Sequence, residues 1–177
     1  MDPVIIVGAG LAGYTLAREL RKLAPEAPIT LVTADSGALY SKPMLSNALA
    51  QGHTAQALVQ SNAREQAAKL NLDLKPHCAA TTIQAPEHVL ETESGRLPYR
   101  HLVLALGARP RQPGFAGQEH VLSVNHLDDY ARLRARLAPG AHVAIIGAGL
   151  VGCEFANDLA IGGHAVTLLE TSARPLE

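Results

Sequence analysis

Tryptophan is missing from these 177 residues, phenylalanine occurs twice and tyrosine four times, so any core has to be built from aliphatic side chains. Cysteine is almost as scarce. Cys78 and Cys153 are too few and too far apart for a disulfide framework, no Cys-x-x-Cys occurs, and this usage fits a reducing compartment, the cytoplasm. No apolar run approaches the roughly 18 residues of a membrane helix. The apolar N-terminal stretch carries Asp2 instead of a basic leader, so it is not expected to be a signal peptide. Neither sign of charge dominates: 15 Lys and Arg face 16 Asp and Glu, a net charge of -1, which argues against a polyanionic partner such as nucleic acid. The eight histidines are scattered, with no His-Glu-x-x-His and no Cys/His cluster, so no metal site is expected. Gly-x-Ser-x-Gly and Walker patterns are absent as well.

Glycine, by contrast, is present in a pattern. Gly8-Ala9-Gly10-Leu11-Ala12-Gly13 follows the apolar run Val4 to Val7, and Gly147-Ala148-Gly149-Leu150-Val151-Gly152 follows Val143 to Ile146. Each copy precedes a stretch with helical spacing of apolar residues, the setting in which such a motif binds a dinucleotide. The first glycine makes the strand-to-helix turn and the second lets backbone approach a pyrophosphate. The third brings the helix close to the sheet, and the helix N-terminus receives the phosphate charge. Two such motifs imply two dinucleotides.

Periodicity places the remaining elements. Leu16, Leu20 and Leu23 recur on one helical face, Pro25 and Pro28 close that helix, and Ile29 to Thr33 reads as a second strand. A dinucleotide fold commonly offers an acid to the adenosine ribose at that strand end. Here Asp35 comes one position late, so backbone near Thr33 and Ala34 could hold the ribose with Asp35 assisting, or Asp35 could be a turn residue before Gly37. Tyr40 to Ser46 reads as a proline-broken loop, followed by weak helical patterning through Ala55 and Leu58. Asn62 with Glu65 forms a capping box for a helix to about Leu70, and Leu72 to Lys75 is a short strand. Ala80 to Tyr99 reads as a three-stranded antiparallel meander, and Leu102 to Leu106 as a buried strand running into Gly107. Pro113, Gly114 and Gly117 mark a linker before a helix from about Leu127 to Leu137. The second fold starts near Ala141, with Ala165 to Leu169 as its second strand and Glu170 at the end. An acid there binds both ribose hydroxyls and repels a 2′-phosphate, favouring NADH, whereas Arg174 could accommodate that phosphate. Cys78 and Cys153 read as small buried hydrophobes, and a strand would point His77 and Cys78 to opposite faces.

Three segments together, Gly8 to Gly13, Ile29 to Asp35, and Tyr40-Ser41-Lys42-Pro43-Met44-Leu45-Ser46, resemble the pyridine-nucleotide-dependent flavoprotein reductases. Within that family they are most similar to the rubredoxin reductases, then the flavorubredoxin reductases of nitric oxide detoxification. The resemblance implies FAD on the first fold, contacted by Gly8, Ala9, Gly10, Leu11, Ala12, Gly13, Thr33, Ala34, Asp35, Lys42, Pro43, Ala80, Ala105 and Gly107. It implies NADH on the second, at Gly147, Gly149, Leu150, Val151, Gly152 and Glu170. It also implies that Lys42 lies near the flavin, paired with Glu154, so that the ammonium favours negative charge on reduced flavin. From the residues alone, Lys42 reads first as a solvated loop lysine and Glu154 as an acid near a helix start; the resemblance reverses that order. Tyr40 to Asn47 contains no cysteine, so electrons are expected to leave the flavin for an outside acceptor, not a thiol.

The expected fold class is α/β: a Rossmann-like FAD fold with an antiparallel meander over residues 1–112, a linker and helix over 113–140, and the first βαβ unit of an NAD fold over 141–177. Measured against the family, the chain reads as an amino-terminal part. The expected function is an NADH-dependent flavoprotein reductase passing electrons through FAD to rubredoxin or a similar small iron carrier. Ferredoxin, flavorubredoxin or dioxygen as acceptor is an alternative. So is a nucleotide-binding module without turnover, which would not require Lys42 and Glu154.

Overall fold

The run Val4–Val7 forms strand β1, with Ile5 and Ile6 fully buried on opposite faces. A continuous apolar strand is what a sheet covered on both sides requires. The computed structural model describes residues 2–112 and 114–177; Pro113, read above as the start of the linker, lies outside them. By contacts the chain divides into two compact units, Met1–Tyr40 with Val59–Ala108, and Ser41–Leu58 with Arg109–Glu177.

In the first unit, β1 leads through the glycine turn into helix α1, Leu11–Leu23, which ends at Ala24 just before Pro25. Strand β2, Ile29–Val32, lies parallel to β1 with Val4 opposite Ile29. A short antiparallel ribbon follows, β3 (Leu39–Tyr40) against β4 (Val59–Ser61), for which the sequence carries no clear period. Helix α2, Ala63–Leu70, starts at the expected capping box: Asn62 Oδ1 accepts the Glu65 N–H at 3.0 Å and Glu65 Oε2 accepts the Asn62 N–H at 3.0 Å. Strand β5, Asp73–Lys75, runs parallel to β2. The meander follows, with β6 (Ala80–Gln84), β7 (Val89–Thr92) and β8 (Gly95–Pro98) antiparallel in sequence order. Strand β9, His101–Leu104, returns parallel to β1 on the side away from β2, giving the order β5-β2-β1-β9.

This sheet separates two apolar layers. Ile6, Tyr14, Ala17, Ile29, Leu31, Leu70 and Leu72 cluster on the side of α1 and α2, and Ile5, Val7, Val32, Cys78, Leu90 and Tyr99 on the side of the meander. Each fully buried Ile or Leu contributes about 1.5–3 kcal/mol, so the alternation along β1 serves both layers. Three expectations change. The strand read as Leu102 to Leu106 ends at Leu104 and is the sheet edge, which leaves Leu104 and Leu106 exposed. His77 and Cys78 lie beyond β5, where His77 turns through φ +50°, so no strand alternation sorts them. Cys78 is buried as expected, whereas Cys153 is only partly covered.

In the second unit, Lys42–Ser46, expected as a proline-broken loop, is a short 3-10 turn, and the weak helical patterning expected after it yields only the 3-10 turn Gln56–Leu58. Pro43 has no N–H to continue a ladder, and Gly52 takes φ +71°. Helix α3 is Leu127–Arg136. Strand β10 (His142–Ile146), helix α4 (Leu150–Ile161) and strand β11 (Ala165–Leu169) form a βαβ unit, with His142 opposite Ala165 in parallel register. Two buried polar groups tie Ser41–Leu58 to these helices. The Asp158 carboxylate on α4 accepts the N–H of Leu49 at 2.8 Å and of Ala50 at 3.0 Å. The Tyr130 hydroxyl on α3 donates to the His53 carbonyl at 2.8 Å. Burial pushes the Tyr130 hydroxyl pKa up.

Candidate functional site

The first glycine motif is shaped by steric exclusion at two positions and by open space at the third. Gly8 has φ +114°, and a Cβ there would stand 2.2 Å from the Ala105 carbonyl oxygen. A Cβ on Gly13 would stand 1.9 Å from the Gly8 oxygen, so the third glycine is what lets α1 press onto its own turn. A Cβ on Gly10 would meet nothing within 4 Å. That space adjoins the start of α1, which has no side-chain cap and no acid in its first turn.

Helix starts leave four N–H groups without intrahelical partners. Elsewhere the protein satisfies them from its own side chains. Asn62 and Glu65 do so at α2, and Asp129 Oδ2 accepts the N–H of Asn125 at 2.9 Å and of His126 at 3.1 Å before α3. Among the described α-helices, α2 and α3 carry an acid in the first turn that folds back on the chain just before the helix, whereas α1 and α4, which follow the glycine motifs, have neither a side-chain cap nor a first-turn acid. An uncapped helix start beside a cleared cradle suits a phosphate chemically, so these residues fit a dinucleotide.

The other first-fold positions line the carboxyl ends of β2 and β9. Thr33 is buried and its backbone is committed: its N–H donates to the Lys75 carbonyl at 3.1 Å and its carbonyl accepts from Cys78 at 2.8 Å. Thr33 therefore builds the sheet, and Ala34 is the exposed neighbour. Asp35 closes the turn, Oδ1 accepting the Thr33 hydroxyl at 2.7 Å and the Gly37 N–H at 2.9 Å, while Oδ2 has no hydrogen-bond partner among the described residues. The buried Tyr14 hydroxyl donates to the Gly37 carbonyl. Its pKa is pushed up to about 12, by burial first and by the Asp35 charge second. Sequence reading missed this anchor, since a tyrosine on an apolar helix face signals core alone. Ala105 abuts Gly8, Gly107 turns through φ +68° with open space at its Cβ position, and Ala80 stands exposed at the start of the meander.

The second motif repeats the third-glycine contact, a Gly152 Cβ standing 2.0 Å from the Gly147 oxygen, and Gly149 again faces open space. Leu150 and Val151, the first residues of α4, are exposed. Glu170 binds the loop directly. Its Oε2 accepts the Ala148 N–H at 2.6 Å, and its Oε1 accepts the N–H and hydroxyl of Thr171 at 2.7 and 3.0 Å. These donors, Ala148 first, bring its pKa down to about 2. A carboxylate so held stays ionised through the neutral range.

Lys42 and Glu154 do not form the expected ion pair. Lys42 Nζ donates to Asn125 Oδ1 at 2.7 Å, and Glu154 Oε2 accepts the Ser46 hydroxyl at 2.6 Å. Neutral partners from other segments satisfy each charge. Asn125 and Ser46 lie 83 and 108 positions from the residues they serve, and no local pattern marks such pairings. Among the described residues no His, Cys, Asp and Glu group suits a metal ion, and no helix is long and apolar enough to cross a membrane.

Comparison with known proteins agrees with this geometry. The chain is 43% identical over 178 residues to a rubredoxin-NAD(+) reductase of Alcanivorax borkumensis, covering 99% of this chain and 47% of that protein. It is 38% identical over 173 residues to a nitric oxide reductase FlRd-NAD(+) reductase of Aeromonas hydrophila, covering 98% and 45%. The chain thus spans a little under half the length of the curated relatives it matches. Among solved structures it superposes on a covalent putidaredoxin reductase-putidaredoxin complex with a TM-score of 0.87 and 33% identity, over 99% of this chain and 44% of that one. The fold is accordingly α/β and Rossmann-like, as the paired motifs imply. Residues 2–177 match the family profile described as pyridine nucleotide-disulphide oxidoreductase, and the chain belongs to that family.

Proposed function

We propose that the protein binds FAD at its first glycine motif and NADH at its second, and serves a cytoplasmic reductase that passes electrons from NADH through FAD to rubredoxin or a similar small iron carrier. The observation that carries this reading is the pair of uncapped helix starts, each beside a second glycine with open space where its Cβ would be. The carrier is suggested by the name of the 43% identical relative. The name of the Aeromonas relative supports flavorubredoxin as the alternative acceptor.

Bound FAD supplies a two-electron acceptor for the hydride of NADH and a one-electron donor for the carrier. The polypeptide contributes binding and electrostatics. The N–H groups of Leu11, Ala12 and Gly13 hold the FAD pyrophosphate, Ala34 and the free Oδ2 of Asp35 meet the adenosine ribose, and the backbone at Ala80, Ala105 and Gly107 adds contacts. The start of α4 holds the NADH pyrophosphate, and Glu170 accepts both ribose hydroxyls and disfavours NADPH. By the resemblance, Lys42, with Pro43 beside it, supplies a positive charge that favours reduced flavin; Glu154 is held by Ser46 and is not its counter-charge. No side chain has to move a proton.

The test is an anaerobic titration of the full chain, reconstituted with FAD, by NADH and then by NADPH, followed in the visible flavin bands. Retained FAD that bleaches with NADH and responds weakly to NADPH is the expected result, with reoxidation by added rubredoxin identifying the carrier. A chain that retains no FAD, or retains it without responding to NADH, overturns the reading.

A further inference from the structure

Glu170 is exposed, yet its carboxylate is not free to turn. Oε2 is tied to the second glycine loop by the Ala148 N–H at 2.6 Å. Oε1 is tied to the chain that follows β11, by the Thr171 N–H at 2.7 Å and the Thr171 hydroxyl at 3.0 Å, with the Ser172 N–H at 3.5 Å. The loop end of this span is itself fixed. Ala148 is 1% exposed, and its carbonyl accepts the Leu176 N–H at 2.9 Å and the Cys153 thiol at 3.3 Å. All of these groups belong to the second unit. A solvated glutamate samples several rotamers and gives up that freedom when a ligand fixes it, whereas here the chain has fixed it beforehand. With one donor on it, Oε2 keeps acceptor capacity for a ligand. The other donors to the carboxylate are backbone N–H groups, so among the described residues the Thr171 hydroxyl is the one side chain that holds it.

We infer that Thr171 is a positioning residue for the second nucleotide: its hydroxyl locks the Glu170 carboxylate beside the glycine loop and so sets how strongly the site prefers a ribose with a free 2′-hydroxyl over one carrying a 2′-phosphate. The inference rests on the reading of NADH at the second motif given above. An ionised, immobile carboxylate meets a ribose diol without further ordering, and it does not swing aside from a phosphate. Without the hydroxyl, Oε1 keeps only backbone donors and the side chain regains rotamers. Both effects then weaken together: a diol is bound less tightly and a 2′-phosphate is repelled less.

The experiment uses the full chain and two readouts that need no turnover. Dissociation constants for NADH and NADPH are measured at neutral pH by nicotinamide fluorescence for the wild type, Thr171→Val and Thr171→Ser, and the Glu170 side-chain carboxyl is titrated by NMR without nucleotide. Thr171→Val keeps the branched shape and the N–H but loses the hydroxyl. It is expected to bind NADH about fivefold more weakly and NADPH no more weakly than the wild type does, and to raise the Glu170 midpoint from about 2 toward 4.5. Thr171→Ser restores the hydroxyl and returns both readouts to the wild-type values. Thr171 is exposed, and Thr171→Ala takes the same test should Thr171→Val not fold. A wild type that prefers NADH, with the same preference in the hydroxyl-free variant or a loss that Thr171→Ser does not recover, overturns this inference alone. A wild type that binds neither nucleotide overturns it together with the proposed function.

Discussion

Gly8 and Gly147 open turns of the same kind, at φ +114° and +99°, yet a Cβ on Gly8 would meet the Ala105 carbonyl at 2.2 Å and one on Gly147 would meet nothing within 4 Å. The neighbouring strand makes the difference. In the first unit β9 lies beside β1 and continues past it, the Ala105 N–H donating to the Val7 carbonyl at 2.8 Å. In the second, β10 pairs with β11 alone among the described strands. The same contrast runs through burial: β2 is buried at every position, while β11 alternates between exposed and half-covered. Equal motifs thus encode equal turns, and sheet context decides how far each turn is fixed.

The sharpest way to break that comparison is Gly8→Ala against Gly147→Ala. The first variant adds a backbone collision to left-handed strain and is expected to cost about 4 kcal/mol, the second only strain, about 2 kcal/mol. Hydrogen exchange at β1 and β10 amides reads each unit separately, and equal losses would show that Ala105 contributes nothing. Next in size are Gly10→Ala and Gly149→Ala, whose Cβ atoms enter open space. Stability should stay within about 0.5 kcal/mol of wild type, while FAD or NADH respectively binds at least about tenfold more weakly, about 1.4 kcal/mol. Unchanged dissociation constants, measured by fluorescence titration, would remove the cradle from the argument.

What was legible in the sequence follows the same division. Glycine turns, the 3.6-residue period of α1, the Asn62 and Glu65 box and the meander are local signals, and the structure has each of them in place. The wrong expectations concern relations across the chain. The run after His101 is apolar enough for a central strand, but edge or centre is decided by which strands flank it. Lys42 and Glu154 have complementary charges, but their partners Asn125 and Ser46 are polar side chains on irregular segments. The Asp158 clasp on Leu49 and Ala50 is hidden for the same reason. An acid inside a helical stretch usually faces water, and here it is 4% exposed.

A smaller contrast sits one residue past the third glycine. There α1 carries Tyr14, whose buried hydroxyl reaches across to the Gly37 carbonyl, and α4 carries Cys153, whose thiol reaches only the Ala148 carbonyl at 3.3 Å. Tyr14→Phe removes one buried hydrogen bond and should cost about 1 kcal/mol. It should also loosen the Asp35 turn, visible as faster exchange at the Gly37 amide. Cys153→Ala gives up a weak thiol donor and should cost less. If the two substitutions prove equal in chemical denaturation, the tyrosine does not anchor the first fold's acid turn.

The smallest effect separates the two loops by pH. Glu170 holds the Ala148 N–H at 2.6 Å, while among the described residues no carboxylate accepts the Ala9 N–H in the first loop. Because the Glu170 pKa lies at about 2 when folded against an ordinary value of 4.5, its hold is complete above about pH 4.5 and is lost as pH falls toward 2. The Ala148 amide resonance should therefore move with a titration in that acid window, and the Ala9 resonance should not follow it. Glu170→Gln removes the titrating group, so it should abolish the step at Ala148 and weaken discrimination between NADH and NADPH in the neutral range. An Ala148 resonance that is flat across the window in the wild type would show that Glu170 does not hold the loop in solution. Discrimination would then rest on charge at the ribose alone.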